Sequence, residues 1–132
     1  MIHYVCKYAP VELFKGFGQE CAVLEEMPEN FDKSDKIAHA NLCGFGKSVI
    51  QAVLEGKVEE LVLVNCCDSM RRVYDIIENT KKCKFLYMLD LPHEDNECEN
   101  IKFAQSILRL KNAYERYSNR TFDRELFIKS FA

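Results

Sequence analysis

Leu61-Val62-Leu63-Val64 is an uninterrupted apolar run, of the kind found where a strand is buried on both faces at the centre of a parallel sheet. The flanks fit that reading. Upstream, Phe45, Val49, Ala52 and Val53 recur at helical spacing, so a helix is predicted from about Cys43 to Glu55, with Gly56 as its stop. Downstream, Asp68 is the expected cap of a helix that turns Val73, Ile76 and Ile77 inward and ends at the basic Lys81-Lys82. Beyond it, Lys84 to Leu89 reads as another strand, closed by Pro92. Toward the amino end, Cys21-Ala22-Val23-Leu24 and His3 to Tyr8 are strands, with a short helix between them that starts near Pro10 and stops at Gly18. Met27 to Asp35 is a polar connection and Asp90 to Asn100 an acidic loop. A long helix then carries Ile101, Ala104, Ile107, Leu108, Tyr114 and Tyr117 on one stripe, and a short one carries Leu126, Phe127 and Phe131. Strands alternating with helices predict an α/β, three-layer, Rossmann-like domain with a four-stranded parallel sheet. One domain is expected over residues 1–132, with parallel pairing throughout and Leu61 to Val64 central.

Composition narrows the function. The 132 residues suffice for one compact core, and 48% hydrophobic with 30% charged residues excludes disorder as the main state. A net charge of −3 with scattered Lys and Arg gives no basic face for phosphate backbones, so nucleic acid is not expected as a partner. No apolar run approaches the roughly 20 residues that span a bilayer, and Met1 to Val5 lacks the features of a secretory signal. A cytoplasmic protein with no membrane contact is expected.

Seven cysteines, at 6, 21, 43, 66, 67, 83 and 98, are an odd number with no C-x-x-C pair. Free Cys is among the most buried residue types, so for any single one the expectation is a small buried hydrophobe. Position separates two of them from the rest. In open parallel sheets ligands bind at the carboxyl edge, where strands end and helices begin, which selects Tyr8-Ala9-Pro10, Leu42-Cys43-Gly44, Asn65 to Asp68, and Leu89 to His93. Cys43 lies at the start of a helix, where free N–H groups favour a thiolate, and Cys67 lies at the end of the central strand. The two sulfurs are expected to converge on a metal or cluster site, two unrelated buried thiols being the alternative, while Cys66 faces the other way.

Other constellations are weaker. Asn41 to Ser48 ends in Gly-Lys-Ser, but Asn41 stands where a phosphate loop needs glycine. Gly44 and Gly46 either allow close approach of a ligand or tight helix packing. His39 and His93 with Cys43 and Cys98 could form a zinc site, although the spacing matches no finger. Glu12 either orients a ligand and accepts a proton, or is simply a favourable charge in a first helical turn.

Together, Tyr8-Ala9-Pro10-Val11-Glu12-Leu13 with Gly18, Leu42 to Ser48, Asn65-Cys66-Cys67-Asp68 and Leu91-Pro92 resemble the amino-terminal domain of the 2-hydroxyacyl-CoA dehydratase family. The branch is that of the 2-hydroxyglutaryl-CoA dehydratase D-component, related to benzoyl-CoA reductase subunits, and the resemblance spans essentially the whole chain. It implies an oxygen-sensitive subunit of anaerobic metabolism holding a 4Fe-4S cluster through three cysteines. An ATP-dependent activator delivers one electron, the acyl-CoA thioester becomes a ketyl radical anion, and the C2 hydroxyl leaves. By motif, Cys43 and Cys67 take two ligand positions, with Tyr8, Pro10, Glu12, Gly44 and Asp68 along the substrate edge. The third ligand and the cover of the cleft come in that family from a second domain. The chain is therefore expected to be a fragment, a split subunit needing a partner dehydratase subunit, or a non-catalytic relative. A non-catalytic interaction domain with structural cysteines and a zinc or thiol redox protein are the alternatives.

Overall fold

The computed structural model describes residues 1–5, 9–24, 30–38, 42–65, 68–92 and 96–130. Four strands, β1 (Ile2–Tyr4), β2 (Cys21–Val23), β3 (Glu60–Val64) and β4 (Phe85–Leu89), form one sheet in the order β2-β1-β3-β4. Every pairing is parallel, and β3 and β4 run in register from Glu60 opposite Phe85 to Val64 opposite Leu89. The apolar run Leu61 to Val64 is accordingly interior in the sheet and fully buried.

Alternation along β3 assigns the two faces. Leu61 and Leu63 pack with Val49, Ile50 and Val53 of α2 (Gly44–Leu54) and with Met70, Val73 and Ile77 of α3 (Asp68–Thr80). Val62 turns the other way, with Ile2, Phe85 and Leu89, toward Leu13 and Phe14 of α1 (Val11–Lys15) and Leu110 and Tyr114 of α4 (Glu97–Ser118). A last helix, α5 (Arg124–Lys129), packs on α1. The result is the three-layer α/β arrangement. The step from β1 to β2 uses one face, and the two steps in the opposite direction, β2 to β3 and β3 to β4, use the other. All three crossovers therefore share one hand, as parallel connections require. The chain reverses its direction across the sheet between β1 and β3, which makes the crevice beyond their carboxyl ends the expected ligand position of such a sheet.

The face under α4 is dominated by rings. Tyr114, wholly buried, meets Phe14, Phe17 and Phe85 edge-on at centroid distances of 5.3, 5.0 and 5.2 Å. On the opposite face Gln51, 2% exposed, ties down the connection into α2. Its Oε1 accepts from the backbone N–H groups of Lys33 and Ser34 at 3.0 and 2.9 Å, and its Nε2 donates to Glu55 at 2.7 Å.

Several boundaries differ from the sequence expectation. Pro10 stands one residue before α1 rather than in its first turn, and α1 ends at Lys15, with Gly18 (φ 74°) in the turn that follows. Gly56 (φ 79°) closes α2 as expected. Asp68 is the first residue of α3 rather than its cap. The predicted acidic loop is shorter, because Glu97 to Asn100 already belong to α4, whose cap is Asn96, with its Oδ1 accepting from Glu99 N–H at 2.8 Å. The inward stripe of α4 is also corrected. Ile101 and Leu108 are each 53% exposed, and the core side consists of Phe103, Ser106, Ile107, Leu110, Ala113 and Tyr114. Met27 to Glu29 of the predicted connection, the last part of the predicted first strand and Phe131 lie outside the described residues, and the rest of that connection enters a short 3-10 turn at Ser34–Lys36.

Candidate functional site

The site is built from Cys43 outward. Cys43 caps α2 in an extended conformation (φ −63°, ψ 155°), and its Sγ accepts from Gly46 N–H at 3.4 Å, the bond a capping hydroxyl ordinarily takes. Behind it, Leu42 is buried, and Gly46 lets α2 lie close on α3: a Cβ at Gly46 would sit 3.1 Å from Val73 Cγ2 and 3.2 Å from Leu42 Cγ. That approach places Ser69, the second residue of α3, near enough for its hydroxyl to act on the Cys43 thiol. The Gly46 N–H holds the thiol below its ordinary range, slight burial opposes this, and the Ser69 hydroxyl and Phe45 N–H add to the lowering. Cys43 itself is exposed, with Phe45 beside it 43% exposed.

The neighbouring cysteines behave differently. Burial pushes the Cys21 thiol up to about 11. Burial likewise raises Cys83 to about 11, and its Sγ donates to the carbonyls of Glu59 and Phe85 at 3.2 and 3.3 Å. These two are the packed thiols that composition leads one to expect. Cys98 is exposed in the first turn of α4. Cys6, Cys66 and Cys67 lie outside the described residues, so the expected convergence of Cys43 with Cys67 is not addressed by the geometry.

The edge beside α3 is also organised. Asn65, directly after β3, donates its N–H to Leu89 O at 3.1 Å and its Nδ2 to Asp90 at 2.8 Å, and its Oδ1 accepts from Leu91 N–H at 2.7 Å. This latches the end of β4 to the end of β3. Cys43 and this latch lie at the carboxyl edge of a doubly wound parallel sheet, and the family model of 2-hydroxyglutaryl-CoA dehydratase, D-component, matches residues 6–132. The chain belongs to the 2-hydroxyglutaryl-CoA dehydratase D-component family. No curated protein matches it.

Within this D-component domain the other edge residues are placed as follows. Gly44 opens α2 and is exposed, with nothing within 4 Å of where its Cβ would be. Asp68 is exposed at the start of α3. Pro10 is half-buried ahead of α1, and Glu12, half-buried in the first turn, lies close enough to Cys21 for its charge to act on that thiol. Tyr8 is outside the described residues, as are His39 and His93 of the zinc alternative. Among the described residues no three His, Cys, Asp or Glu side chains are grouped to hold a metal ion. The Gly-Lys-Ser segment is occupied internally: Lys47 pairs with Asp35 at 3.2 Å, and Ser48 Oγ donates to Gly44 O at 2.9 Å. No described helix is long and apolar enough to cross a membrane.

Ser69 is the site residue that sequence reasoning does not single out, and Asn65 falls within a selected segment without being given a role of its own. Ser69 acts across a helix pair, which no local pattern encodes. Asn65 carried a usable signal, since a lone amide closing an apolar strand needs partners for both of its ends.

Proposed function

We propose that this D-component domain forms the cluster-bearing side of a 2-hydroxyacyl-CoA dehydratase, with Cys43 and Cys67 as ligands of a 4Fe-4S cluster. The observation that carries this reading is the environment of Cys43. Its sulfur accepts from Gly46 N–H in the first turn of α2, and its thiol is lowered further by Ser69 in the first turn of α3, the helix that Cys67 precedes in sequence by one residue. A thiolate, not a thiol, is what iron binds, and hydrogen bonds to ligating sulfur tune the potential of such centres. The donor set around Cys43 therefore fits a soft metal centre. When bound, the cluster supplies single electrons to an acyl-CoA thioester so that the hydroxyl at C2 can leave.

The chain's own residues hold and orient. Gly46 N–H and the Ser69 hydroxyl shift Cys43 toward the thiolate that a metal binds. Gly44 leaves space above the first turn of α2, and exposed Phe45 beside Cys43 offers an apolar surface to a covering element. That cover, together with the third ligand, comes from a second domain or partner dehydratase subunit, and the electron from an ATP-dependent activator protein. In this reading the 132 residues correspond to the amino-terminal domain of the complete subunit, acting in the cytoplasm of an anaerobic metabolism.

The test is iron per chain and dehydration of a 2-hydroxyacyl-CoA after anaerobic reconstitution, with and without the partner subunit. Expected are weak retention and no turnover for the chain alone, restoration by the partner, and loss of retention in Cys43→Ser and in Cys67→Ser. Full retention in both serine variants removes these cysteines from the site, and robust turnover by the isolated chain overturns the need for a partner.

A further inference from the structure

The sheet has two edges, and they are protected differently. β2 is three residues long and β4 five, and brevity is one of the ways native proteins blunt an edge. β4 carries none of the others: Phe85-Leu86-Tyr87-Met88-Leu89 holds no charge, proline or glycine, and it pairs with β3 without a bulge. No described strand lies on its outer side. Nor do the flanking helices close it. A cavity of about 390 Å³ is lined by both Tyr87 and Met88, with Arg71, Tyr74, Asp75 and Asp90. Consecutive residues of a strand point to opposite faces, so a space that touches both lies along the strand's edge. Leu86, Tyr87 and Met88 are accordingly half-buried, whereas interior β3 is wholly buried from Leu61 to Val64.

The backbone phase decides which groups that edge presents. Phe85 donates its N–H to Glu59 O at 3.2 Å, and Leu89 O accepts from Asn65 N–H at 3.1 Å, so both residues turn these groups toward β3. With a period of two Tyr87 does the same, and Leu86 and Met88 aim their N–H and C=O groups outward. Charge chooses the direction of a strand that pairs there. Lys81, Lys82 and Lys84 gather at the amino end of β4, and Asp75 and Asp90, which share the cavity, at its carboxyl end. Among the described residues Lys81, Lys82 and Asp75 have no ion pair, and the 3.4 Å pair of Lys84 with Glu59 is exposed on both sides. A parallel copy would set like charges side by side, and an antiparallel one sets lysines against aspartates. We infer that β4 is the pairing edge of a twofold dimer of this chain, lying antiparallel to β4 of a second copy with Tyr87 opposite Tyr87 on the axis. In this register Leu86 of each copy faces Met88 of the other, each such pair exchanging two N–H to C=O bonds. Lys84 falls opposite Asp90 at both ends. The edge is thus self-complementary, as a closed twofold contact requires.

This inference uses no residue of the iron reading, so the two fail separately. The experiment is sedimentation of the full chain over a concentration series, with amide exchange read residue by residue. The unaltered chain should pass from monomer to dimer. As it does, the Leu86 and Met88 amides should become protected, while that of Tyr87 is protected throughout. Met88→Pro removes an outward donor without touching the β3 ladder, and should weaken the dimer about a hundredfold. Leu86→Lys, the second variant, should weaken it similarly by charging the edge. Lys84→Glu and Asp90→Lys should each weaken self-association about tenfold. An equimolar mixture of those two chains should nevertheless dimerise like the parent, because each altered charge then faces its opposite. Loss of structure cannot give that rescue. A chain that stays monomeric at every concentration, a dimer that leaves the Leu86 and Met88 amides unprotected or is indifferent to both edge substitutions, or charge variants that do not recover on mixing, overturns the inference.

Discussion

Cys43 and Cys83 show how far the same side chain can be moved by its surroundings. One is exposed and accepts from an N–H at a helix start; the other is half-buried and donates to carbonyls. The chemical consequence is selective nucleophilicity, because only the thiolate reacts. In peptide-resolved alkylation across a pH series, Cys43 should be modified well ahead of Cys21 and Cys83, whose thiols stay protonated up to about 11. Ser69→Ala removes one donor to the sulfur, so the pH midpoint of Cys43 alkylation should rise and its rate near neutrality fall about threefold. An unchanged midpoint would mean that Ser69 contributes nothing to that thiolate. Cys43 was legible in the sequence because its setting is local: a cap position followed by Gly-Phe-Gly and an apolar helix. Ser69 was not, since its contact with Cys43 depends on how closely α2 lies on α3.

That closeness belongs to the element scale and rests on Gly46. Val73 and Leu42, the neighbours a Cβ would meet at 3.1 and 3.2 Å, are both buried and have little room to yield. Gly46→Val should therefore destabilise the fold by about 2 kcal/mol despite the better helix propensity of valine, measured by urea unfolding. It should also raise the Cys43 midpoint, because separating the helices withdraws Ser69. A variant as stable as the parent would show that the α2–α3 contact is loose. The strands were readable for a related reason: β3 is apolar at every position from Leu61 to Val64 because both its faces are covered. Helix α4 was read less well. With Ile101 and Leu108 on one side and Phe103, Leu110 and Tyr114 on another, its 22 residues present two apolar stripes, and only the tertiary fit of Tyr114 among Phe14, Phe17 and Phe85 decides between them. Its start was encoded all the same, since Asn96 followed three residues later by Glu99 has the form of a capping box.

At the scale of the whole molecule, buried titratable groups bound the pH range of stability. Burial, aided by the amino-terminal charge and opposed by Glu60, holds the His3 imidazole below its ordinary 6.5, and its Nδ1 is buried without a partner among the described residues. The unfolded chain then takes up a proton that the folded one resists, so stability should fall as the pH drops from 6.5 toward the lowered value. Cys21 and Cys83 give the opposite limb. Their thiols ionise near 9.0 when unfolded and near 11 when folded, so stability should fall as the pH rises through that interval. Urea midpoints should accordingly show a plateau between about 6.5 and 9. His3→Gln should flatten the acid side, and Cys21→Ala combined with Cys83→Ala the alkaline side; slopes that persist in these variants would assign the pH dependence to other groups. The ring cluster under α4 has a consequence of a different kind, for the optics of the protein. The chain has no tryptophan, so its near-ultraviolet circular dichroism comes from tyrosine, phenylalanine and cysteine. Among the described tyrosines Tyr114 is wholly buried and flanked edge-on by three phenylalanine rings, asymmetric surroundings of the kind that give a tyrosine its ellipticity. Its ellipticity is a natural reporter of whether α4 is docked, and Tyr114→Phe should erase most of the tyrosine band while the helical signal in the far ultraviolet persists.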